Sequence, residues 1–452
     1  MIKKLCIIVL LSISTNCFAD DTFEVNGALY SVSSRGDYVI FEGLVNKESI
    51  KNYRIPETIT YNTRTIAVKG IGAEAFKDWV NLEILTIPSS IEKIETFYFY
   101  YSSKYKYFSK AFENCKSLKK LIFEDSPKTL ELPDYLKRKG NSTSYERELL
   151  FDDCCIEYIY IGRDMTGRSN NFINQPLSKI EIGPCVTELD GYYGHNGGPA
   201  KTFKTITIPE NVKKIGGFGF CENLEEVIII GNGLTEIKEQ AFYQCQNLKT
   251  INLPESLEKI GDSAFTGCDN ITEINMGDNV TTVGFQAFCN CDRLSRLTIG
   301  SNMKRIGKEV FKSSPNIKAV ISRMDDPKQC QFDSEPFESS TYANAILYVP
   351  IGKRELYTNS YYWKKFFNIQ ESAKATDINV SDKETNNVVI EGEKLILKGF
   401  MPLDNIMLFD ANGRLKYKSK ITNEDTHYIS LSNYPKGVYF VKINEKTYKF
   451  IR

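Results

Sequence analysis

The chain has 452 residues, with 57 basic and 57 acidic side chains and therefore a formal net charge of zero. This balance argues against a nucleic-acid binder or a polybasic membrane binder, because both need an excess of positive charge. Hydrophobic residues make up 42% and charged residues 25% of the sequence, which excludes a disordered or collagen-like chain. Only two histidines are present, which argues against a multi-histidine metal site or a histidine-based catalytic triad.

The N-terminus shows the order of features of a secretory signal peptide. Two lysines precede an apolar run at 5–11, and small or neutral residues follow up to Ala19. We predict a signal peptide at 1–19, because the run is too short to span a bilayer as a helix. Lipidation at Cys17 is the alternative, although the residues before it make a poor lipobox. No other segment approaches transmembrane length, so we expect a secreted or surface-attached mature protein with no membrane span.

Residues 20–49 alternate apolar and polar positions and are predicted to form an N-terminal β cap. The tripeptide Arg35, Gly36 and Asp37 lies between two alternating runs, so it could occupy a hairpin tip. This tripeptide mimics an integrin-binding loop. A chain of this length contains it by chance about one time in ten, and glycine and aspartate are ordinary turn residues. Both interpretations stay open.

A repeat of 23 residues organises the middle of the chain. The phase is strictest in four consecutive units, in which a phenylalanine, a small residue and an aliphatic residue recur at fixed spacing: Phe242, Phe265, Phe288 and Phe311; then Cys245, Cys268, Cys291 and Ser314; then Leu248, Ile271, Leu294 and Ile317. In each unit, the aliphatic residue is the first residue of a strand-like segment L-x-x-I-x-I. The same segment begins upstream at Leu224, Phe203, Leu177, Ile156, Leu118, Leu82 and, more weakly, Ile50. We therefore predict about eleven units between residues 50 and 322, with insertions where the spacing lengthens around 82–156.

A unit of this length cannot bury its own apolar side, so neighbouring units share one core and pair their short strands into a long parallel sheet. At about 4.8 Å per strand, ten steps give a sheet on the order of 50 Å long. The L-x-x-I-x-I aliphatic residues and the phenylalanines point inward. The remaining positions form an outward sheet face, which we consider a candidate binding surface: Lys249, Thr250, Asn252, Thr272, Glu273, Asn275, Ser295, Arg296 and Thr298. Its mixed polarity also fits plain solvation.

The unit I-P-x-x-V/L-x-x-I-G-x-x-A-F-x-x-C-x-x-L-x-x-I resembles the BspA-like leucine-rich repeat. Matching residues include Ile208-Pro209, Ile215-Gly216, Ile260-Gly261 and Ala264-Phe265. The resemblance covers residues 24–371, including a segment at 323–371 that resembles the C-terminal cap of such stacks. It implies a leucine-rich-repeat solenoid, β-rich with short turns and helical pieces, that acts as an adhesin-like surface module.

Ten cysteines follow the signal peptide, and their spacing favours buried thiols over disulfides. Six of them occupy one phase of the repeat: Cys115, Cys154, Cys221, Cys245, Cys268 and Cys291. Ser314 fills the same slot without a thiol, and buried free cysteine behaves as a small hydrophobe. Five disulfides in an oxidising compartment are the alternative.

An aromatic insertion at 95–110 is a second candidate for binding. It carries Phe97, Tyr98, Tyr100, Tyr101, Tyr105 and Tyr107, among other aromatic residues. Exposed tyrosine-rich loops give contact area at low entropy cost. Packing of half of these rings on the repeats is an equally strong interpretation.

A polar linker is predicted at 372–385, followed by a small antiparallel β domain, sandwich-like, at 386–452. Its strands are KLILKGF, NIMLFD, YISLS and GVYFVKI, with a turn at 411–414. This part resembles the C-terminal sorting domain of the type IX secretion system, in Leu408-Phe409-Asp410, in Asn412-Gly413-Arg414 and in 435–439. The resemblance implies contact with the secretion machinery and passage across the outer membrane of a Gram-negative bacterium.

The sequence contains no recognised arrangement of catalytic or metal-binding residues. Nucleophile elbows, zinc spacings and phosphate loops are absent, and His195 and His427 lack a neighbouring base or ligand partner. We therefore predict no enzyme activity, no cofactor and no metal. The expected function is binding of host or neighbouring-cell proteins or glycans. A structural surface protein, or a glycan-active or proteolytic enzyme, is the alternative.

Overall fold

The computed structural model describes residues 22–95, 98–101, 105–108, 110–133, 135–138, 145–148, 150–151, 153–166, 172, 175–189, 203–372, 388–391, 393–398, 405–411, 413–420, 426–443 and 446–452. The predicted signal peptide, Phe97, His195 and most of the predicted linker lie outside these residues. The chain divides into two compact units. The first comprises 1–186 and 191–200, and the second comprises 187–190 and 201–452.

The first unit is built of strands. They are β1 Phe23–Val25, β2 Ala28–Val32, β3 Val39–Leu44, β4 Asn52–Arg54, β5 Thr58–Tyr61, β6 Arg64–Ile71, β7 Ile84–Ile87, β8 Lys93–Ile94, β9 Tyr98–Tyr101, β10 Tyr105–Phe108, β11 Lys120–Phe123, β12 Leu130–Glu131, β13 Tyr135–Arg138, β14 Tyr145–Glu148, β15 Tyr158–Ile161, β16 Met165–Thr166 and β17 Lys179–Ile182. One sheet has the order β4-β7-β11-β15-β17 and is parallel throughout. The other runs β1-β2-β3-β6-β8-β12-β16, with β5 also paired to β6.

The second unit repeats this plan and adds short helices. Its strands up to residue 371 are β18 Glu188–Leu189, β19 Thr205–Ile208, β20 Lys214–Ile215, β21 Glu226–Ile229, β22 Glu236–Ile237, β23 Thr250–Ile251, β24 Lys259–Ile260, β25 Glu273–Asn275, β26 Thr282–Val283, β27 Arg296–Ile299, β28 Arg305–Ile306, β29 Ala319–Ser322, β30 Gln331–Phe332, β31 Ile346–Val349 and β32 Asn368–Glu371. The helices are α1 Ser339–Asn344 and α2 Arg354–Thr358, and the 3₁₀ turns are Pro327–Gln329 and Trp363–Lys365.

The predicted L-x-x-I-x-I segments all form strands, which confirms the repeat. Each strand of the series β4, β7, β11, β15, β17, β19, β21, β23, β25, β27 and β29 lies on a predicted segment. The phenylalanines also stack in one row, as the phase predicted. Ring centroids lie 5.3 Å apart from Phe242 to Phe265, 5.1 Å from Phe265 to Phe288 and 5.8 Å from Phe288 to Phe311, all nearly parallel.

The expectation of a single long parallel sheet needs correction in two respects. In the second unit the predicted strands form sheets of three strands, β19-β21-β23, and five strands, β25-β27-β29-β31-β32. Each repeat there also contributes a second strand of two residues, and these form the parallel sheet β18-β20-β22-β24-β26-β28-β30. The sequence pattern missed these strands because two residues are too few to show an alternation.

The sheet formed by these two-residue strands explains why the repeat has a glycine directly after its second strand. A Cβ atom at Gly284 would lie 2.5 Å from the main-chain nitrogen of Asp262, and one at Gly307 would lie 2.6 Å from the main chain of Gly284. No side chain fits at that distance. Glycine therefore permits the close approach of successive repeats on this side.

The cysteine slot is a hydrogen-bond donor site as well as a core position. All six cysteines of this phase are buried, as predicted. The thiol of Cys268 donates to the carbonyl of Phe242 in the preceding repeat at 3.2 Å, and that of Cys291 donates to Phe265 at 3.3 Å. The Ser314 hydroxyl makes the equivalent bond to Phe288 at 3.0 Å. Serine and cysteine are interchangeable here because both are small donors.

We expect Cys268→Ser to change the free energy of unfolding by less than about 1 kcal/mol, because the donor to Phe242 is kept. Cys268→Val removes the donor and adds a branched carbon to a packed column, which should cost about 1–3 kcal/mol. Urea unfolding followed by circular dichroism measures both values. Equal losses for the two variants would contradict a donor role for the slot.

One buried arginine ties together the turns of the first unit. Arg163 is fully buried, and its guanidinium donates to the main-chain carbonyls of Pro88 at 2.5 Å and Ile91 at 2.6 Å. It also donates to the carbonyl of Glu124 at 3.2 Å. Burial lowers the pKa of this side chain from its usual range. Carbonyls from two earlier repeats thus depend on one side chain.

Arg163→Leu should therefore lower the free energy of unfolding by about 3 kcal/mol or more, because it leaves several buried carbonyls without a donor. The matched control is Arg64→Leu at an exposed position, which should change it by less than about 0.5 kcal/mol. Urea unfolding measures both. Similar values for the two variants would show that the carbonyls find other donors.

The C-terminal β module, residues 388–452, consists of antiparallel strands. They are β33 Val388–Glu391, β34 Lys394–Lys398, β35 Asn405–Asp410, β36 Leu415–Lys420, β37 Thr426–Ser430, β38 Val438–Ile443 and β39 Lys446–Ile451. Its sheets have the orders β33-β34-β37 and β36-β35-β38-β39. The predicted turn is confirmed: the amide of Arg414 donates to the Asp410 carboxylate at 2.9 Å, and Gly413 has a φ of 73°. The predicted antiparallel fold is confirmed, with β33, β36 and β39 added to it.

Candidate ligand-binding surface

The predicted outward positions of the repeats lie on the sheet face, with graded exposure. Lys249, Thr250, Thr272, Glu273 and Asn275 are exposed. Asn252, Ser295 and Arg296 are half-buried, whereas Thr298 is buried. The register pairs Glu273 with Arg296 and Asn275 with Thr298 on adjacent parallel strands. The five exposed side chains could reach a ligand without any change in the repeats.

The charged residues of this face are paired with one another across strands. Lys249 and Lys204 both bind the carboxylate of Glu225, at 2.8 and 2.9 Å. These bonds lower the pKa of Glu225 to about 2. The guanidinium of Arg296 lies 3.1 Å from Glu273. The face therefore has little net charge along these strands and offers mainly hydroxyl and amide groups.

The same face carries an apolar patch that the repeat pattern did not predict. Ile228 lies at an outward position of β21, and Ile230 follows two residues later. Both are buried, in contact with Met407, Phe409 and Phe440 of the C-terminal β module. The run of aliphatic residues at 227–230 carried a signal, since a strand that is apolar at consecutive positions is covered on both sides.

Part of the aromatic insertion forms a hairpin. Strands β9 and β10 pair antiparallel, with Tyr105 opposite Tyr101 and Tyr107 opposite Phe99. Strand β10 lies beside β13 of a second hairpin, β13-β14. Tyr98 and Tyr100 belong to β9, whereas Phe97 lies outside the described residues. Whether this hairpin binds a ligand stays a prediction.

The tripeptide Arg35, Gly36 and Asp37 lies in the turn between β2 and β3, where the sequence placed it. Arg35 and Asp37 are exposed, and Gly36 has a φ of 76°. The hydroxyl of Ser33 donates to the Asp37 carboxylate at 2.8 Å and lowers its pKa. The carboxylate is thus oriented by a hydroxyl of its own turn, and a role of this turn in binding stays a prediction.

The described residues were also compared with the expectations on metal and catalytic groups. Among those residues, no group of three or more His, Cys, Asp or Glu side chains is placed to hold a metal ion. His427 lies on β37, where burial lowers its pKa. No helix in the described ranges combines the length and apolar character needed to cross a bilayer.

All ten cysteines after the predicted signal peptide are free thiols, eight of them buried. Burial raises the pKa of Cys330 to about 12, and it raises those of Cys221 and Cys268 well above the usual range. Cys155 is exposed and Cys185 is half-buried. The thiolate is the reactive form, so the buried thiols are expected to be inert.

A short pulse of iodoacetamide on the native chain should therefore label Cys155 and Cys185 and leave the eight buried thiols unmodified. Denaturant without reductant should then make all ten reactive. Peptide mass mapping measures each site. Failure of Cys245 and Cys268 to react in denaturant would show that they are oxidised, and equal labelling in the native chain would contradict their burial.

Two family models match the chain. The BspA type leucine-rich repeat region matches in six copies over residues 11–132, 46–193 and 199–318, more than half of the sequence. The secretion system C-terminal sorting domain matches residues 384–452. The sorting domain implies interaction with secretion machinery, and together the matches indicate a secreted or cell-surface protein. A comparison with curated protein sequences found no match.

Several solved structures of leucine-rich repeat proteins are similar. A leucine-rich cell surface protein of Faecalibacterium prausnitzii is 17% identical with a TM-score of 0.32, covering 81% of this chain and 100% of its own. A leucine-rich repeat protein of Bacteroides ovatus is 18% identical with a TM-score of 0.28, covering 70% and 99%. The pneumococcal vaccine antigen PcpA is 19% identical with a TM-score of 0.32, covering 78% and 98%.

Proposed function

The chain belongs to the BspA-type leucine-rich repeat proteins, and we propose that it is an adhesin-like binding protein that contacts proteins or glycans of a host or neighbouring cell. Residues 1–19 direct its export, and residues 386–452 engage the secretion machinery. The repeats then present the sheet face to the ligand, and the aromatic hairpin β9-β10 and the turn at Arg35–Asp37 are separate candidate binding segments.

The observation that carries this proposal is the exposed row of polar side chains on successive strands. Thr250, Thr272, Glu273 and Asn275 project from a scaffold whose strands and core repeat with fixed spacing. Solenoids commonly bind macromolecules through such extended surfaces. Because the scaffold is ordered before binding, a ligand contacts many weak groups at once without the cost of ordering them.

The chemistry of the face favours hydrogen bonding over net charge. Its lysines and arginine already contact carboxylates of neighbouring strands, so the groups left for a ligand are hydroxyls, amides and paired charges. Such groups suit glycan hydroxyls and peptide main chains. We therefore expect binding that depends only moderately on ionic strength, because exposed ion pairs, rather than unpaired charges, face the solvent.

The test is binding of the purified chain from residue 20 onward to immobilised collagen, laminin, fibronectin and a glycan array. Thr250→Arg and Thr272→Arg place a bulky cation on the face and should weaken binding about tenfold or more, which corresponds to about 1.4 kcal/mol. The control is Thr60→Arg, at an exposed threonine of β5 outside the repeat strands.

Binding that is lost in the two face variants and kept in the control supports the proposal. Equal affinity in all variants would remove the sheet face from the binding site. Self-association of the chain with no binding to the panel would favour a structural surface component instead.

A further inference from the structure

The C-terminal β module is apolar on two opposite faces of its four-stranded sheet. Along β35, Ile406 and Leu408 point into the module's own core, and Met407 and Phe409 point the other way. Along β38, Tyr439, Val441 and Ile443 face that core, whereas Val438, Phe440 and Lys442 alternate with them. A self-contained small domain needs only the first face. The second face implies a partner.

That partner is the sheet face of the repeats in the same unit. Ile228 and Ile230 pack with Met407, Phe409 and Phe440 in one buried cluster, in which no member is more than 8% exposed. Without the module, Ile228 at an outward position of β21 would face solvent. Each apolar patch is therefore buried by the other.

Polar and steric details make this contact specific. Lys442 is 4% exposed, and its ammonium lies 3.8 Å from the carboxylate of Glu226, at the start of β21. At the turn after β35, a Cβ atom on Gly413 would lie 2.9 Å from the Thr207 side chain on β19. Glycine at this turn leaves room for the Thr207 side chain, so apolar, ionic and close steric contacts occur together.

We propose that the patch formed by Thr207, Glu226, Ile228 and Ile230 is a docking surface for the chain's own C-terminal β module, which covers this part of the sheet face until it is displaced. The consequence for ligands rests on the proposed function of the sheet face. A ligand that binds over β19 and β21 competes with the module, and it must present the same chemistry, namely large apolar side chains beside one basic group.

The competition is reciprocal, because two occupants of one surface lower each other's apparent affinity by the same factor. Removal or release of the module exposes an apolar patch on an otherwise polar face. Apolar patches bordered by polar residues are typical of interaction sites. The module thus keeps this patch covered for as long as the module remains part of the chain.

Oxidation of Met407 by dilute hydrogen peroxide reports the contact in the full chain. Met407 is 8% exposed within the cluster, whereas Met276 and Met303 lie in the repeat core at 1% or less. Ile228→Glu buries a charge against Met407 and releases the module, and because Ile228 points away from the repeat core, the repeats stay folded. Met407 sulfoxide should form about tenfold faster than in the unaltered chain, with Met276 and Met303 unchanged.

Asn302→Glu is the matched control, since it adds the same charge at an exposed position outside the patch, and it should leave all three rates unchanged. A charge exchange provides a second variant. Glu226→Lys alone should speed oxidation of Met407, and Glu226→Lys with Lys442→Glu should slow it again, because the pair is restored in reverse.

Slow oxidation of Met407 in Ile228→Glu would overturn the proposal, and so would rapid oxidation in the unaltered chain. If Ile228→Glu also exposes Met276, the charge exchange decides: absence of rescue in the double variant overturns the docking. None of these readouts involves a ligand, so the docking can fail while binding to the panel succeeds, and the reverse is equally distinguishable.

Discussion

The step from one repeat to the next depends on contacts that recur at nearly equal spacing on every side of the unit. Strands in a sheet lie about 4.8 Å apart, and the stacked rings from Phe242 to Phe311 lie 5.1–5.8 Å apart. In addition, the cysteine or serine side chain at the cysteine position donates a hydrogen bond to the main-chain carbonyl of the phenylalanine in the preceding repeat. Equivalent residues of successive repeats are therefore separated by the same short distance. For this reason the outward side chains of the strands form rows.

Much of this arrangement follows from the sequence because it is local and repeated. Asn247 shows the principle: it lies directly before Leu248 at the entrance of the strand, and its side-chain amide donates to the main-chain carbonyl of Glu222 at 2.8 Å. The two-residue strands such as Lys259–Ile260 could not be predicted, since they carry no alternation. Their position follows from register with the neighbouring repeat, which the glycine at 261 permits.

The candidate surface was only partly predictable for a different reason. Exposure of Thr250 and Thr272 follows from their phase, because outward positions of a repeat face solvent unless something covers them. What covers Ile228 lies about 180 residues further along the chain, and periodicity cannot predict a contact of that kind. The signal was present as two strands apolar at consecutive positions, NIMLF and VYFV, which a domain with one core does not require.

The sheet face thus combines two kinds of surface, which under the proposed function would suit different ligands. Around β25 and β27 the charges of Arg296 and Glu273 neutralise one another, so a ligand bound there would be recognised by hydrogen bonds and shape. Around β21 the face is apolar beside the Glu226 carboxylate, and such a patch is typical of an interaction site. In the docking that we propose, the chain supplies that cover itself, with Lys442 placed against the Glu226 carboxylate and Gly413 placed against the Thr207 side chain. The neutral overall charge is consistent with the proposed function, in which neither part of the surface would depend on long-range electrostatic attraction to a partner.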